Sequence, residues 1–422
     1  MMDQKRAIWS WALYDWANSA FATTVMAGFF PLFFKVYWAN PDNPTESTFY
    51  LGLANSLASV CVAILAPFLG AVADQGSAKK KFLLLFTFLG CVMTGALWQV
   101  AQGSWLPAVV FYVTASVGFS GGNLFSDALL PGVASEKRLD YASSLGYALG
   151  YVGGGLLFLV NVLMYLKPSA FGIPDGPTAI RLSFLSVAIW WALFSVPVFI
   201  FVREPGSVKA VPLLSAFAMG RQQLKNTFRE IRRLRIVGIF LLAYWCYIDG
   251  VDTIIRMAVD FGMSLGFPSG TLITALLMVQ FIAFPCTLLY LRISSRLGAK
   301  MAVMIAIGGY SLITVFAYFM AKEWHFYALA AAVAVFQGSI QALSRSIYAR
   351  IIPASRAAEF YGFYNMLGKF AAVIGPVMVG SVTVLTGNVR FGMVSILVLF
   401  IVGGCLLGRV DVAAGERIAK AY

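Results

Sequence analysis

The sequence predicts an all-α polytopic membrane protein, with twelve transmembrane helices arranged as two six-helix, pseudo-symmetric halves. Three observations predict it. Of 422 residues, 60% are apolar and only 12% are charged, about half the ~25% charged share of soluble domains. The apolar residues gather into twelve separate runs, each long enough for the ~20-residue span of a hydrocarbon core. Short motifs from the first six runs return, in the same order, in the last six. A soluble chain of this size has too little interior for so many apolar side chains. Disorder is excluded as well, because its signature is low hydrophobicity.

The runs cover about 8–38, 48–73, 82–101, 105–127, 141–166, 180–202, 236–261, 270–291, 301–321, 325–348, 358–386 and 390–408. Lipid cannot satisfy free backbone polar groups, so each run is expected to be a helix. None shows the polar–apolar alternation of a membrane barrel strand. Lys5 and Arg6 followed by an apolar stretch with Ala20-Phe21-Ala22 resemble a cleavable signal. Asp15 and Asn18 interrupt that stretch, and the apolar sequence continues to Trp38. The expectation is an uncleaved first span.

The net charge is +13. In a soluble chain this would suggest nucleic acid, but here it can be read as topology. Loops on the side of both termini carry 24 Lys and Arg, and loops on the other side carry five. By the positive-inside rule both termini are expected in the cytoplasm, with no nucleic-acid partner. The expected division is an N-terminal bundle over 1–202, a basic cytoplasmic linker over 203–235 and a C-terminal bundle with a short tail over 236–422. The linker holds eight basic and two acidic residues. Its part from Arg221 to Arg235 reads equally as an amphipathic helix on the membrane surface or as a plain linker.

Cys61, Cys91, Cys246, Cys286 and Cys405 all lie inside apolar runs, without a CxxC or a Cys/His cluster. No disulfide framework, metal site or cofactor is expected. His325 is the only histidine and there is no HExxH, so an intramembrane enzyme is disfavoured. No GxxxxGK[ST] loop is present, so ATP is not the expected driver.

Three sets of matches carry the repeat. Pro131, Leu145-Gly146 and Val152-Gly153 match Pro353, Leu367-Gly368 and Ile374-Gly375 at an offset of 222. Asp15-x-x-Asn18-Ser19 matches Asp249-x-x-Asp252-Thr253, and the loop Asp74 to Lys79 matches Ser295 to Lys300. A parallel repeat of six helices is the architecture of major facilitator transporters, whose site lies near the midplane between halves. Gly70-x-x-x-Asp74 followed by Lys79-Lys80 resembles that superfamily's loop after the second span, and Ser295-Arg296-x-Gly298-x-Lys300 is a similar second copy. Gln75 stands where a basic residue is usual, and Ser77 where glycine is usual. Trp11-Ala-Leu-Tyr14-Asp15-Trp16-Ala-Asn18-Ser19-Ala-Phe21 resembles the opening of one branch, the autophagy-related vacuolar amino-acid effluxers and their bacterial relatives. Tyr247-x-Asp249-Gly250-Val251-x-Thr253-Ile254 and Gly368-Lys369-Phe370-Ala371-Ala372-x-Ile374-Gly375-Pro376 are similar to the same branch. The resemblance implies a bacterial inner-membrane transporter, with amino acids as the substrate class.

Ionisable groups inside spans are costly, ~2.5–3.5 kcal/mol each on insertion scales, and mark function by default. Asp249, Asp252, Arg256 and Asp260 are spaced i, i+3, i+7, i+11 on one helical stripe. Arg256 is a candidate for a substrate carboxylate, and Asp249 or Asp252 for a proton. The competing reading is an ion pair that holds helices together. Lys369, Asp15 and Asn18 complete the candidates for substrate or proton binding. Tyr14, Asn123, Tyr147, Gln337, Gln341 and Asn365 are candidates for lining the cavity. Asp74, Lys79, Lys80, Asp127, Arg296 and Arg345 lie near span ends, where gating is expected. The leading reading is a secondary active transporter for a small solute, working by alternating access and driven by protons. The alternative is a transporter-like receptor or a lipid-translocating protein. The expected partners are a small-molecule substrate and the lipid bilayer, and nothing in the sequence demands more than a monomer.

Overall fold

A computed structural model describes residues 2–39, 44–204 and 234–421. Among these residues, eleven helices are long and apolar enough to cross a membrane. A twelfth, Ala357–Thr386, has 30 residues and contains the apolar stretch Ile374–Thr386. In chain order the N-terminal six are α1 (Gln4–Trp38), α2 (Pro44–Gly76), α3 (Lys79–Gln99), α4 (Trp105–Val133), α5 (Leu139–Leu166) and α6 (Gly176–Phe201). The C-terminal six are α7 (Arg235–Ser264), α8 (Ser269–Leu297), α9 (Ala299–Tyr318), α10 (Glu323–Ile351), α11 (Ala357–Thr386) and α12 (Val389–Gly408). A short helix, α13 (Val412–Ala421), follows. Every apolar run of the sequence falls on one of the twelve. The basic part of the linker, 205–233, lies outside the described residues, and so does nearly all of the amphipathic stretch expected there.

The pairings repeat between the halves. Helix α1 packs on α5 and α6, and α7 packs on α11 and α12; α3 packs on α4, and α9 on α10. The halves meet through α2 on α11 and α8 on α5, two contacts exchanged by the same pseudo-twofold. A matching detail sits at each bundle's edge. Lys80 Nζ donates to the carbonyls of Phe199 and Val202 at the end of α6, at 2.8 and 2.6 Å. Lys300 Nζ donates to those of Gly408 and Val410 at the end of α12, at 2.8 and 2.7 Å. Each ammonium neutralises orphan carbonyls at a helix C-terminus. The spatial equivalent of Lys300 is therefore Lys80, one residue from the Lys79 that the sequence match selects. Asp15 and Asp249 stand at similar levels of α1 and α7, since Gly150 and Gly153 of α5 meet Asp15, Ser19 and Trp16 much as Gly375 of α11 meets Asp249 and Thr253, but their carboxylates diverge, that of Asp15 toward Gly146 and that of Asp249 toward Gly375.

Local departures from straight helices follow from sequence. Helix α1 widens into π-helical turns over Phe21–Phe29 and Phe34–Trp38, on either side of Pro31, whose ring nitrogen has no hydrogen to donate. A continuous buried apolar core runs the length of the C-terminal half and enters the N-terminal half at the end that carries the termini, from Trp11, Val72 and Leu130 to Phe240, Tyr348 and Ala357. A second core, built around Phe30, Tyr112 and Trp191, takes its buried residues from the N-terminal half, with Leu277 of α8 packed against it. The halves are thus closed onto each other at the basic face.

Two glycines permit that closure. A Cβ on Gly70 of α2 would strike the Ala358 backbone, and one on Gly362 of α11 would strike that of Ala66. Overpacking costs typically ~1–3 kcal/mol. Gly70→Val and Gly362→Val should each lower the thermal unfolding midpoint of the purified protein. Gly380→Ala, where a Cβ meets open space, should leave it unchanged.

Candidate functional site

Arg345 of α10 is 3% exposed and reaches across to the N-terminal half. Its Nη1 donates to Asp127 Oδ1 of α4 at 2.9 Å, and its Nη2 to Asp15 Oδ2 of α1 at 3.0 Å. Nε and Nη2 also donate to the hydroxyl and carbonyl oxygens of Ser143 on α5, at 2.9 and 3.0 Å. The guanidinium lies between the rings of Trp11 and Tyr147, 4.7 and 4.4 Å from their centroids. A planar fork with five donors fits such a cage as an ammonium could not. From behind, the Tyr361 hydroxyl donates to the Arg345 carbonyl at 3.0 Å.

Further ties between the halves flank this cluster. Asp140, at the start of α5, accepts from Arg350 Nη2 at 2.7 Å, Ser346 Oγ at 2.7 Å and Ser294 Oγ at 2.9 Å. Asp74, at the end of α2, accepts from the backbone N–H groups of Ala358 and Glu359 at 3.2 and 2.8 Å. A carboxylate there meets the positive end of the α11 dipole. Lys79 Nζ closes the same carboxylate at 2.9 Å. The N–H groups of Lys79 and Lys80, at the start of α3, are capped by Glu204. Helix α13 adds a half-buried contact, Glu416 to Arg350 at 3.7 Å, and an exposed one, Lys420 to Glu136 at 2.8 Å.

A second polar layer lies further along the helices. Asp252 of α7 is half-buried and within electrostatic reach of Tyr147, Tyr151, Tyr244 and Tyr310. Arg256, one turn on, is exposed yet within reach of Tyr112 on α4. That places it toward the opposite half rather than toward lipid. Tyr151 donates to Gln341 Oε1 at 3.3 Å, and Gln337 is a neighbour of the same phenol. Asn18 donates to Asn123 Oδ1, and Asn365 reaches Asp127. Acid, base, phenols and amides thus converge between the bundles.

The structure separates residues that sequence spacing groups together. Asp249 is 1% exposed. Its two carboxylate oxygens accept from Gly375 N–H of α11 at 3.0 and 3.1 Å, and Thr253 donates to it at 3.3 Å. Pro376 breaks the α11 ladder beside this point, and a Cβ on Gly375 would collide with Thr253 and Asp249. Asp249 therefore ties α7 to α11 and does not share the surroundings of Asp252. Tyr14, expected to line a cavity, is fully buried, with its hydroxyl 3.0 Å from Thr87 Oγ1, because α3 and α4 close over it. Asn18 is also buried. Asp15 belongs to the Arg345 cluster at the basic face rather than to the midplane. Lys80 caps α6 within its own half, so it is an anchor and not a tie between halves. Arg296 is exposed and pairs with no other described residue. The side chains of Lys369 and Asp260 lie outside the described residues. Gly118-Phe119-Ser120-Gly121-Gly122 has the bare spacing of a nucleophile elbow, but it lies inside continuous α4. His325 accepts at Nδ1 from the N–H groups of Ala321 and Lys322 at the start of α10.

Asp140, Ser143, Arg350 and Glu204 have no sequence signal of their own. They look like ordinary loop-end polar residues, and only the approach of distant helix ends gives them partners.

The vacuole effluxer Atg22-like family model matches residues 35–143 and 136–420. The chain belongs to the Atg22-like branch of the major facilitator superfamily. A Bacillus subtilis relative, the uncharacterized MFS-type transporter YxiO, is 38% identical over 97% of this chain and 96% of its own. Two solved structures share the fold. The human organic anion transporter MFSD10 aligns with a TM-score of 0.73 and 14% identity, over 96% of this chain and 99% of that one. The transporter FucP in its outward conformation aligns with a TM-score of 0.73 and 12% identity, over 97% and 99%. This Atg22-like chain is a multi-pass membrane transporter for solutes, and its twelve helices follow the superfamily's two-bundle layout.

Removing Arg345 leaves Asp15 and Asp127 buried without their counter-charge. Breaking a buried pair in this way costs ~3–5 kcal/mol. Arg345→Met should strongly lower the unfolding midpoint of the purified protein. Adding Asp127→Asn to Arg345→Met should recover part of the loss, and the two substitutions should be non-additive in a double-mutant cycle.

Proposed function

We propose that this protein moves small zwitterions, with amino acids the favoured class, by proton-driven alternating access of its two bundles. The observation that carries the reading is the pair Asp252 and Arg256 on α7. One turn apart, they offer an acid and a base between the bundles, beside a wall of phenols and amides. A zwitterion presents the complementary charges. Its carboxylate suits Arg256, its ammonium suits Asp252 and the tyrosine faces, and an apolar side chain can rest on the rings. The family's description as vacuole effluxers is consistent with solutes of this size.

On this reading the basic face is cytoplasmic, with both termini inside, and the membrane is a bacterial inner membrane. The two bundles are 1–202 and 236–422, joined by the basic linker 203–235. Closure around Arg345 then corresponds to an outward-facing state, the conformation named for the FucP structure. Asp252 carries the coupling proton, because it is the half-buried carboxylate of α7 that lies among the phenols between the bundles. Asp249 holds α11 in place. Asp15, Asp127, Arg345 and Asp74 form the cytoplasmic gate.

A hydrogen bond to a charged group is worth ~1.5–3 kcal/mol, about ten- to a hundredfold in affinity. In proteoliposomes, Arg256→Gln should weaken amino-acid counterflow by about that factor. Asp252→Asn should keep counterflow and lose acceleration by an inward proton gradient. Wild-type uptake by Arg256→Gln would reject the zwitterion site, and an intact proton response in Asp252→Asn would reject the coupling role.

A further inference from the structure

A cavity of about 340 Å³ opens on the flank of the N-terminal bundle, lined by Lys5, Ile8 and Trp9 of α1 and by Arg138 and Tyr141 at the start of α5. It is remote from the Asp252 and Arg256 layer, and neither the gate nor the transport reading uses it. Its volume falls within the ~300–1,000 Å³ of small-molecule sites. Trp9 and Tyr141 are 47% and 41% exposed, so the cavity faces outward, toward lipid. Indole and phenol rings at such a depth mark the headgroup level of a bilayer.

The electrostatics of the cavity are one-sided. Its lining includes two cations and no acid. The acids that flank Arg138 in sequence are already engaged, Asp140 with Arg350 and Glu136 with Lys420. Arg6, beside Lys5, lies over the Phe201 ring at 5.6 Å. Neither Lys5 nor Arg138 pairs with a described acid, although other cations of this face, Lys79, Arg345, Arg350 and Arg356, do. Two cations thus converge on a cavity with an apolar floor at Ile8 and aromatic rims open to the membrane. We infer that this cavity binds the headgroup of an anionic phospholipid from the leaflet on the basic side, with Lys5 and Arg138 holding the phosphate and with Trp9 and Tyr141 flanking the glycerol and upper acyl chains. Basic pockets between helices at this level suit acidic headgroups. The linker is a poor occupant, because its eight cations and two acids repel the cavity.

The site joins α1 to α5, and Asp15 and Ser143, one on each helix, both hold Arg345. An occupied headgroup site should therefore stabilise the closed basic face, because a ligand specific to the folded state raises its stability by mass action.

The test uses the full chain purified in a neutral detergent. Phosphatidylglycerol, phosphatidylcholine and inorganic phosphate are added separately, and thermal unfolding is followed. Phosphatidylglycerol should raise the midpoint by several degrees more than phosphatidylcholine, and phosphate alone should not reproduce the shift. The Lys5→Gln/Arg138→Gln double variant should lose the difference. Arg292→Gln/Arg409→Gln, which removes two exposed cations outside the cavity, should keep it. Native mass spectrometry of the wild type gives a reading independent of any variant's folding, in which one phosphatidylglycerol should be retained in preference to phosphatidylcholine. The inference is overturned by equal shifts from the two lipids, by a full shift from phosphate, by equal losses in both double variants, or by no preferential retention.

Discussion

The closed arrangement depends on one buried cation. Arg345 lies where four helices approach, and it is the only residue in the described ion pairs that joins two carboxylates of the opposite bundle. A guanidinium taken out of water loses several kcal/mol of solvation even after relaxation. Here that loss is offset by two carboxylates, a hydroxyl, a carbonyl and two ring faces. The cluster's formal charge is −1, so the amide of Asn365 and the dipoles at the helix ends have a residual negative charge to stabilise. Geometry of this quality fixes a register. If α10 slid by one turn against α1 and α4, several of these partners would be lost together.

The pseudo-twofold explains why the remaining ties take the form they do. Helix α2 meets the start of α11, and α8 meets the start of α5. In the first contact the acid lies on α2, and Asp74 accepts from the N–H groups that open α11. In the second the acid lies on α5, and Asp140 accepts from Ser294 of α8. The same meeting of a helix end with a helix start is built with opposite polarity. The second-half loop around Arg296 therefore carries no acid, and Arg296 is left on the surface.

The fold was legible because a membrane imposes a strong pattern. Twelve apolar runs and a 24-to-5 charge split leave little freedom, and the helices fall where the runs do. The repeat was legible to within a residue at Lys80 and Lys300, and at Asp15 and Asp249 it was legible in helix level but not in the partner of the carboxylate. A two-residue polar pattern recurs at matching levels of α1 and α7, but the Asp15 carboxylate turns to Arg345 and that of Asp249 to Gly375. The site was legible only as a set of types. Spacing places Asp249 and Asp252 on one stripe, but a stripe nearly 80° wide can touch two neighbours. The broken α11 ladder at Gly375-Pro376 draws Asp249 away, and the tyrosines of α5 and α7 surround Asp252. Asp140 and Arg350, 210 positions apart, have nothing in the sequence to link them.

The distribution of charge constrains how the bundles can move apart. Every ion pair between the halves among the described residues lies at the basic face: Arg345 with Asp15 and Asp127, Arg350 with Asp140, and Lys420 with Glu136. The last is exposed and screened by solvent, so it cannot decide the equilibrium. The buried pairs carry large opposing terms. Opening this face would break them, but it would also admit water, which restores much of the solvation they gave up. The free energy between closed and open states is then a small difference that a ligand can reverse, provided it binds the two states unequally. A substrate spanning Asp252 and Arg256 is placed to do so. Those two residues stand on α7, which packs on α11, and α11 begins where Asp74 holds it. Drawing α7 toward the N-terminal bundle would pull on the α11 start through the Asp249–Gly375 tie. A small shift at the midplane would thereby reach the contacts that keep the basic face shut.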